Sequence, residues 1–208
     1  MATFFHYKTI ADIEAENARL GIDLRFSEDL APLWQPLEIA GRRLGNRWCI
    51  HPMEGCDGEL DGRPGELTFR RYERFGAGGA KLIWGEACAV VQESRATPRQ
   101  LWLNEQTVGD FARLVEICRQ AHRQAGENDN DLLIGLQLTH SGRYSYPRPL
   151  LATHDPLLVG RYGVTAETPL LSDDDLLRLV DAYVAAARLA VQAGFDFLDI
   201  KQCHRYLF

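Results

Sequence analysis

The sequence predicts an α/β fold in which parallel strands alternate with helices, and three observations predict it. Short apolar runs alternate with longer amphipathic stretches, strand then helix, four times over except that the fourth helix is missing. Each apolar run ends abruptly in side chains capable of chemistry. No G-x-G-x-x-G phosphate turn follows the first run, where the sequence reads H-P-M-E-G instead. Polar residues spread over several strand ends suit a closed (β/α)8 TIM barrel better than an open doubly wound sheet. Such a barrel needs about 250 residues and eight strands; the 208 residues here supply the first four strands, a half-barrel.

Taken in order, residues 8–20 read as a charged surface helix with Ile10, Ile13 and Leu20 on one side. Pro32 and Pro36 bracket a linker around Trp34. Residues 1–36 are thus an N-terminal helical extension and linker, and 37–208 the barrel half. Leu37 to Ala40, Gly41 and Arg42 to Leu44 read as a small hairpin. Arg47 to Ile50 is the first barrel strand, followed by a turn-rich loop, EGCDGELDGRPGE. A helix over 67–77 is closed by Gly78 and Gly79. Ala80 to Glu86 is the second strand, ending in a carboxylate and then in Ala87 and Cys88. Thr107 to Gln124 is a helix with an apolar stripe of Val108, Phe111, Leu114, Val115 and Cys118.

The third strand opens the most informative stretch, Leu132 to Pro149. It is apolar from Leu132 to Leu136 and then turns polar at Gln137, His140, Ser141, Arg143, Tyr144, Ser145 and Tyr146. Gln137 interrupts a buried strand, so its amide must find partners for one acceptor and two donors. Neighbouring backbone could supply them, and so could a planar heterocycle with alternating N–H and C=O groups. The loop from Tyr144 to Leu171 is long, as functional or mobile loops are. Ser172 caps a helix with Asp173, Asp174 and Asp175 at the positive end of its dipole. That helix stops at Gly194. Phe195 to Lys201 is the fourth strand, ending in Gln202, Cys203, His204, Arg205 and Tyr206.

A net charge of −6 argues against nucleic acid and anionic membrane as partners. No apolar run is long enough to span a bilayer, and the N-terminus does not read as a signal peptide. Five scattered cysteines without a C-x-x-C suggest reduced thiols in a cytoplasm, and neither a disulfide framework nor a metal site. Cys56 and Cys88 read as packing residues.

Four segments carry a resemblance: N-R-W-C-I-H-P-M-E-G at 46–55, L-I-W-G-E-A at 82–87, Q-L-T-H-S-G-R-Y-S at 137–145 and D-I-K-Q-C-H-R-Y-L at 199–207. In this order, each at a strand end, they resemble the N-terminal half of the Old Yellow Enzyme family of NADH:flavin oxidoreductases. The dienoyl-CoA reductase and enoate reductase branch is included. The resemblance implies FMN as cofactor, NAD(P)H as reductant and a small substrate with an activated alkene. It places the flavin against Pro52, Met53 and Glu54, against Ala87, and against the amide of Gln137. It places Lys201 and His204 on the oxygen of the substrate's carbonyl, with Tyr206 protonating the substrate carbon. Fixed donors there would stabilise the charge that builds as hydride adds to the alkene. Arg143 and Tyr144 either contact substrate or anchor their loop, and His140 either neighbours the site or bonds backbone.

Two positions depart from the family's pattern. Lys201 replaces a histidine and could instead pair with Asp199 on the same strand face. Arg205 stands where the family has glycine, which matters if that position needs φ > 0. The family's phosphate site and barrel closure would fall beyond Phe208. The expectation is therefore an N-terminal fragment, incompetent on its own. The alternative is a non-catalytic half-barrel that pairs with itself, or with another half-chain, through the open barrel edge.

Overall fold

A computed structural model of the chain describes residues 5–208, so the first four residues of the expected N-terminal extension lie outside it. Helix α1 (Ile10–Leu20) begins at a reciprocal cap. Thr9 Oγ1 accepts from the Asp12 N–H at 3.2 Å, and the Asp12 carboxylate accepts from the Thr9 N–H at 2.9 Å. It ends at Gly21, whose φ of +65° only glycine adopts freely. The segment expected to be a linker instead forms a single turn, α2 (Ala31–Trp34), with Pro32 pre-setting φ in its first turn. Trp34 packs edge-on against Trp48 at 5.8 Å and ties this extension to the start of the barrel wall. The hairpin forms as expected, with β1 (Leu37–Ile39) antiparallel to β2 (Arg42–Leu44).

The barrel wall is a four-stranded parallel sheet: β3 (Cys49–Ile50), β4 (Leu82–Ala89), β5 (Leu133–Thr139) and β6 (Phe197–Ile200). Neighbours in the sheet are neighbours in sequence, in the order β3-β4-β5-β6. The crossovers are α3 (Glu66–Ala77), α4 (Val108–Gln124) and α5 (Asp173–Gln192). An unreversed order winds one way around, as a barrel does; a doubly wound sheet would reverse at a switch point. All strands run the same way, so their C-terminal ends gather on one side.

Two strand boundaries differ from expectation. β3 is only two residues long. β4 does not stop at Glu86 but continues through Ala87 and Cys88 to Ala89, all fully buried. Its register against β5 shifts between Gly85 and Ala87, so Glu86 is an extra residue in the ladder. The bulge explains how a carboxylate sits inside a buried strand: Glu86 is turned to partners outside the ladder.

The core lies between sheet and helices. Ile83, Ile134, Leu136 and Leu138 meet Phe111, Leu114, Cys118 and Tyr72 there. α3 and α4 approach closely because residue 76 is glycine; a methyl group there would lie 2.1 Å from the Cys118 carbonyl oxygen. No helix among the described residues is long and apolar enough to cross a membrane.

Candidate active site

The strand register sets the first part of the site. Ala87, Gln137 and Asp199 stand side by side across β4, β5 and β6. Ala87 is completely buried, and its carbonyl accepts from Gln100 Nε2 at 3.2 Å. Gln137, 7% exposed, donates Nε2 to the Asp199 carboxylate at 2.5 Å. Its partner is thus a side chain of the next strand, not the neighbouring backbone considered from sequence.

Just past the end of β6, Lys201 is 5% exposed. It does not pair with Asp199, the partner suggested by strand periodicity; Gln137 holds that carboxylate. Its ammonium donates instead to Glu54 Oε1 at 2.7 Å, from the segment leaving β3. The same ammonium lies 4.3 Å from the centre of the Tyr206 ring. The Tyr206 hydroxyl donates to the same Glu54 oxygen at 3.4 Å. Burial, then the Glu54 charge, pushes the Tyr206 phenol above its ordinary range, so it stays protonated.

The segment carrying Glu54 is itself anchored. The Gly55 N–H donates to Glu86 Oε2 at 2.9 Å. Arg71 of α3 bridges Glu86 and Asp57. Burial raises the Glu86 carboxyl, opposed by the Arg71 charge and the Gly55 N–H. The bulged strand, α3 and the loop after β3 are thereby locked together. Of the other residues expected to meet the cofactor, Pro52 is half-buried and Met53 is 76% exposed.

Beyond Tyr206 opens a cleft of about 540 Å³, lined in part by Arg143, Tyr144, Ser145, Tyr162, His204 and Tyr206. The Tyr144 ring meets Tyr162 edge-on at 4.7 Å and Tyr206 at a tilt at 5.4 Å. Arg143, 6% exposed, donates Nε to the Arg205 carbonyl at 3.2 Å, which anchors the loop. Its Nη1, and Ser145 Oγ, are buried without a partner among the described residues. His204 is exposed, with its ring 5.9 Å from that of Tyr206. His204 and Arg205 have φ of +60° and +55°. The position where the resemblance expects glycine is therefore left-handed, and arginine occupies it under strain. His140 faces inward: its Nδ1 accepts from the Gly142 N–H at 3.0 Å, and burial lowers its pKa to about 4.

The fold thus brings together Glu54, Lys201, His204, Tyr206, Arg143 and Tyr144, with Gln137 and Ala87 on the adjoining strands. Sequence reasoning missed three partners. It used only the backbone at Glu54, although a carboxylate at a strand end was visible. Asp199 was legible as a charge inside the apolar run FDFLDIK, but was assigned to the wrong neighbour. Tyr162 carried no signal, because a loop folding back across 18 residues leaves no periodicity; it returns through a bridge between Leu151 and Leu170.

The comparisons with known proteins address the family and the fold. The model of the NADH:flavin oxidoreductase / NADH oxidase family matches residues 32–208. An NADPH dehydrogenase of Bacillus subtilis is 30% identical over 181 residues, covering 84% of this chain and 49% of the relative. The solved Old Yellow Enzyme homologue from Zymomonas mobilis has a TM-score of 0.64 at 27% identity, over 84% of this chain and 49% of that one. The Old Yellow Enzyme from a Pichia species superposes with a TM-score of 0.68 at 19% identity, over 85% and 47%. The chain spans about half the length of the curated relatives it matches. Because the family model matches residues 32–208, most of the chain, the chain belongs to the NADH:flavin oxidoreductase / NADH oxidase family.

Proposed function

We propose that this chain binds FMN at the C-terminal ends of β3–β6 and serves the reduction of activated C=C bonds of enone, enoate or dienoyl type, with NAD(P)H as reductant. The observation that carries the reading is the convergence of Lys201 and Tyr206, from beyond the end of β6, on one carboxylate oxygen of Glu54, from beyond the end of β3.

The residues present suit a flavin. Gln137 spends one N–H on Asp199, and its carbonyl oxygen has no protein partner among the described residues. An amide acceptor left open on an otherwise buried strand matches an N–H on the edge of a planar heterocycle. Exposed Met53 and half-buried Pro52 offer apolar surface beside it. Bound there, FMN would supply the hydride for the alkene carbon.

The chain's own side chains supply the rest. Lys201 and His204 would hold the carbonyl oxygen of the substrate, where negative charge grows. Tyr206 would deliver its phenolic proton to the other alkene carbon. Its half-buried, protonated hydroxyl suits that role. The ring pair Tyr144 and Tyr162 would flank the substrate in the cleft, with Arg143 below it.

The test uses the chain with FMN reduced under anaerobic conditions, followed by its reoxidation with a simple cyclic enone. The reading expects protein-dependent reoxidation that Tyr206→Phe slows by about 100-fold, the lower range of general acid catalysis. A wild-type rate no faster than that of free reduced FMN overturns it.

A second reading rests on a separate observation. Leu177, Val180, Val184 and Val191 of α5 are exposed, as is Ile200 at the end of β6. Apolar surface beside a sheet edge favours self-association of the chain. Light scattering after size exclusion distinguishes a defined dimer, which this reading expects, from a monomer, which excludes it.

A further inference from the structure

We infer that the Glu54 side chain is a positioning residue for both Lys201 and Tyr206: it holds the ammonium and the phenol on one oxygen and keeps the lysine's charge balanced until a substrate carbonyl competes for it. The inference rests on the reading above for the roles of Lys201 and Tyr206, and adds a third member to the cluster.

Three features of the geometry carry it. Glu54 Oε1 is shared, at 2.7 Å from Lys201 Nζ and 3.4 Å from the Tyr206 hydroxyl. Lys201 has no other side-chain hydrogen bond among the described residues, so its direction is set by Glu54 and by the Tyr206 ring it overlies. Glu54 itself is not free to drift. The next residue's N–H is tied to Glu86, which Arg71 holds against Asp57.

The physical consequence follows from burial. A nearly buried ammonium without a counter-charge is costly, so Lys201 needs an anion in the resting state. Glu54 supplies one without consuming all three ammonium donors. A carbonyl oxygen can then enter as a second acceptor, and gains attraction as it becomes negative. The 3.4 Å contact is a long, weak hydrogen bond that biases where the hydroxyl points and that a substrate carbon can displace. After Tyr206 gives its proton to carbon, the phenolate lies 3.4 Å from the Glu54 carboxylate, and the Lys201 ammonium over its ring offsets that repulsion until solvent returns the proton. No group is consumed in this cycle.

The chain carries lysine only at Lys8, Lys81 and Lys201, which makes the cluster accessible to NMR. Lys8 is exposed, whereas Lys81 is buried against Asp131 and Glu127 and serves as an internal control for folding. Lysine ammonium signals and the tyrosine ring Cζ signals are recorded in the wild type, Glu54→Gln and Tyr206→Phe. The last variant assigns the Tyr206 signal. The inference expects ammonium exchange at Lys201 to accelerate at least roughly tenfold in Glu54→Gln, as for loss of a charge-assisted hydrogen bond. It also expects the Tyr206 Cζ signal to move, with Lys81 unchanged. Restoration of the Lys201 signal by Glu54→Asp supports the charge as the cause. An unmoved Lys201 signal in Glu54→Gln overturns the inference. So does a Lys201 change with Tyr206 unmoved, which is the mark of a purely structural ion pair. None of these readouts needs flavin or turnover, so the functional reading and this inference can fail separately.

Discussion

His140 shows how a single residue couples stability to pH. Its imidazole is buried, accepts a backbone N–H and has a pKa of about 4, below its ordinary 6.5. The unfolded chain binds that proton near 6.5, so the folded state loses stability as pH falls from 6.5 toward 4 and is unaffected by this group above that window. The shift corresponds to an order of 3 kcal/mol. Urea unfolding at pH 7 and pH 4.5 checks it: His140→Asn, which keeps an acceptor, loses less stability on acidification than the wild type. Arg205 makes a second prediction at this scale. At φ +55° it occupies a conformation that glycine adopts without penalty, and its ion pair with Asp155 is exposed. Arg205→Gly is expected to raise stability by about 1 kcal/mol, read as a higher urea midpoint. Residue identities were largely legible in the sequence. Lys201, His204, Tyr206 and Gln137 all lie where strands end. Their partners were not, because Lys201–Glu54 and Gln137–Asp199 join positions 147 and 62 residues apart. Local periodicity holds no record of such a pairing.

At the scale of elements, the parallel strands and their crossover helices could be read from apolar periodicity, and each lies within a few residues of its expected place. The hairpin and the capped helix α5 were equally plain, since their signals are local: Gly41 and Ser172. The end of β4 was not. A charged residue at position 86 reads as a strand terminus, whereas a β-bulge turns Glu86 toward Arg71 and lets the strand continue. That arrangement yields a clear expectation. Glu86→Ala leaves the Gly55 N–H without its acceptor and Arg71 with only Asp57. Stability should fall by about 3–5 kcal/mol, as for breaking a buried ion pair, measured by thermal or urea unfolding. Because the same carboxylate anchors the segment bearing Glu54, hydrogen exchange over residues 51–58 should rise in that variant. A wild-type exchange pattern there would separate Glu86 from the site.

At the scale of the molecule, the unreversed order β3-β4-β5-β6 places every strand end on one side, and this is what brings four separated sequence motifs together. The barrel wall was foreseeable because a parallel sheet with consecutive crossovers admits few arrangements. The cleft was not foreseeable, because its outer wall is loop. The chain covers about half the length of its curated relatives, and the functional account depends on how much of a flavin site this half holds. The most direct measurement is the visible spectrum of the purified 208-residue chain after incubation with FMN and desalting, for the wild type and Gln137→Ala. The account predicts a flavin band near the molar concentration of the protein in the wild type, and a much weaker one in Gln137→Ala. A wild-type chain that retains no flavin while keeping its helical circular dichroism contradicts it.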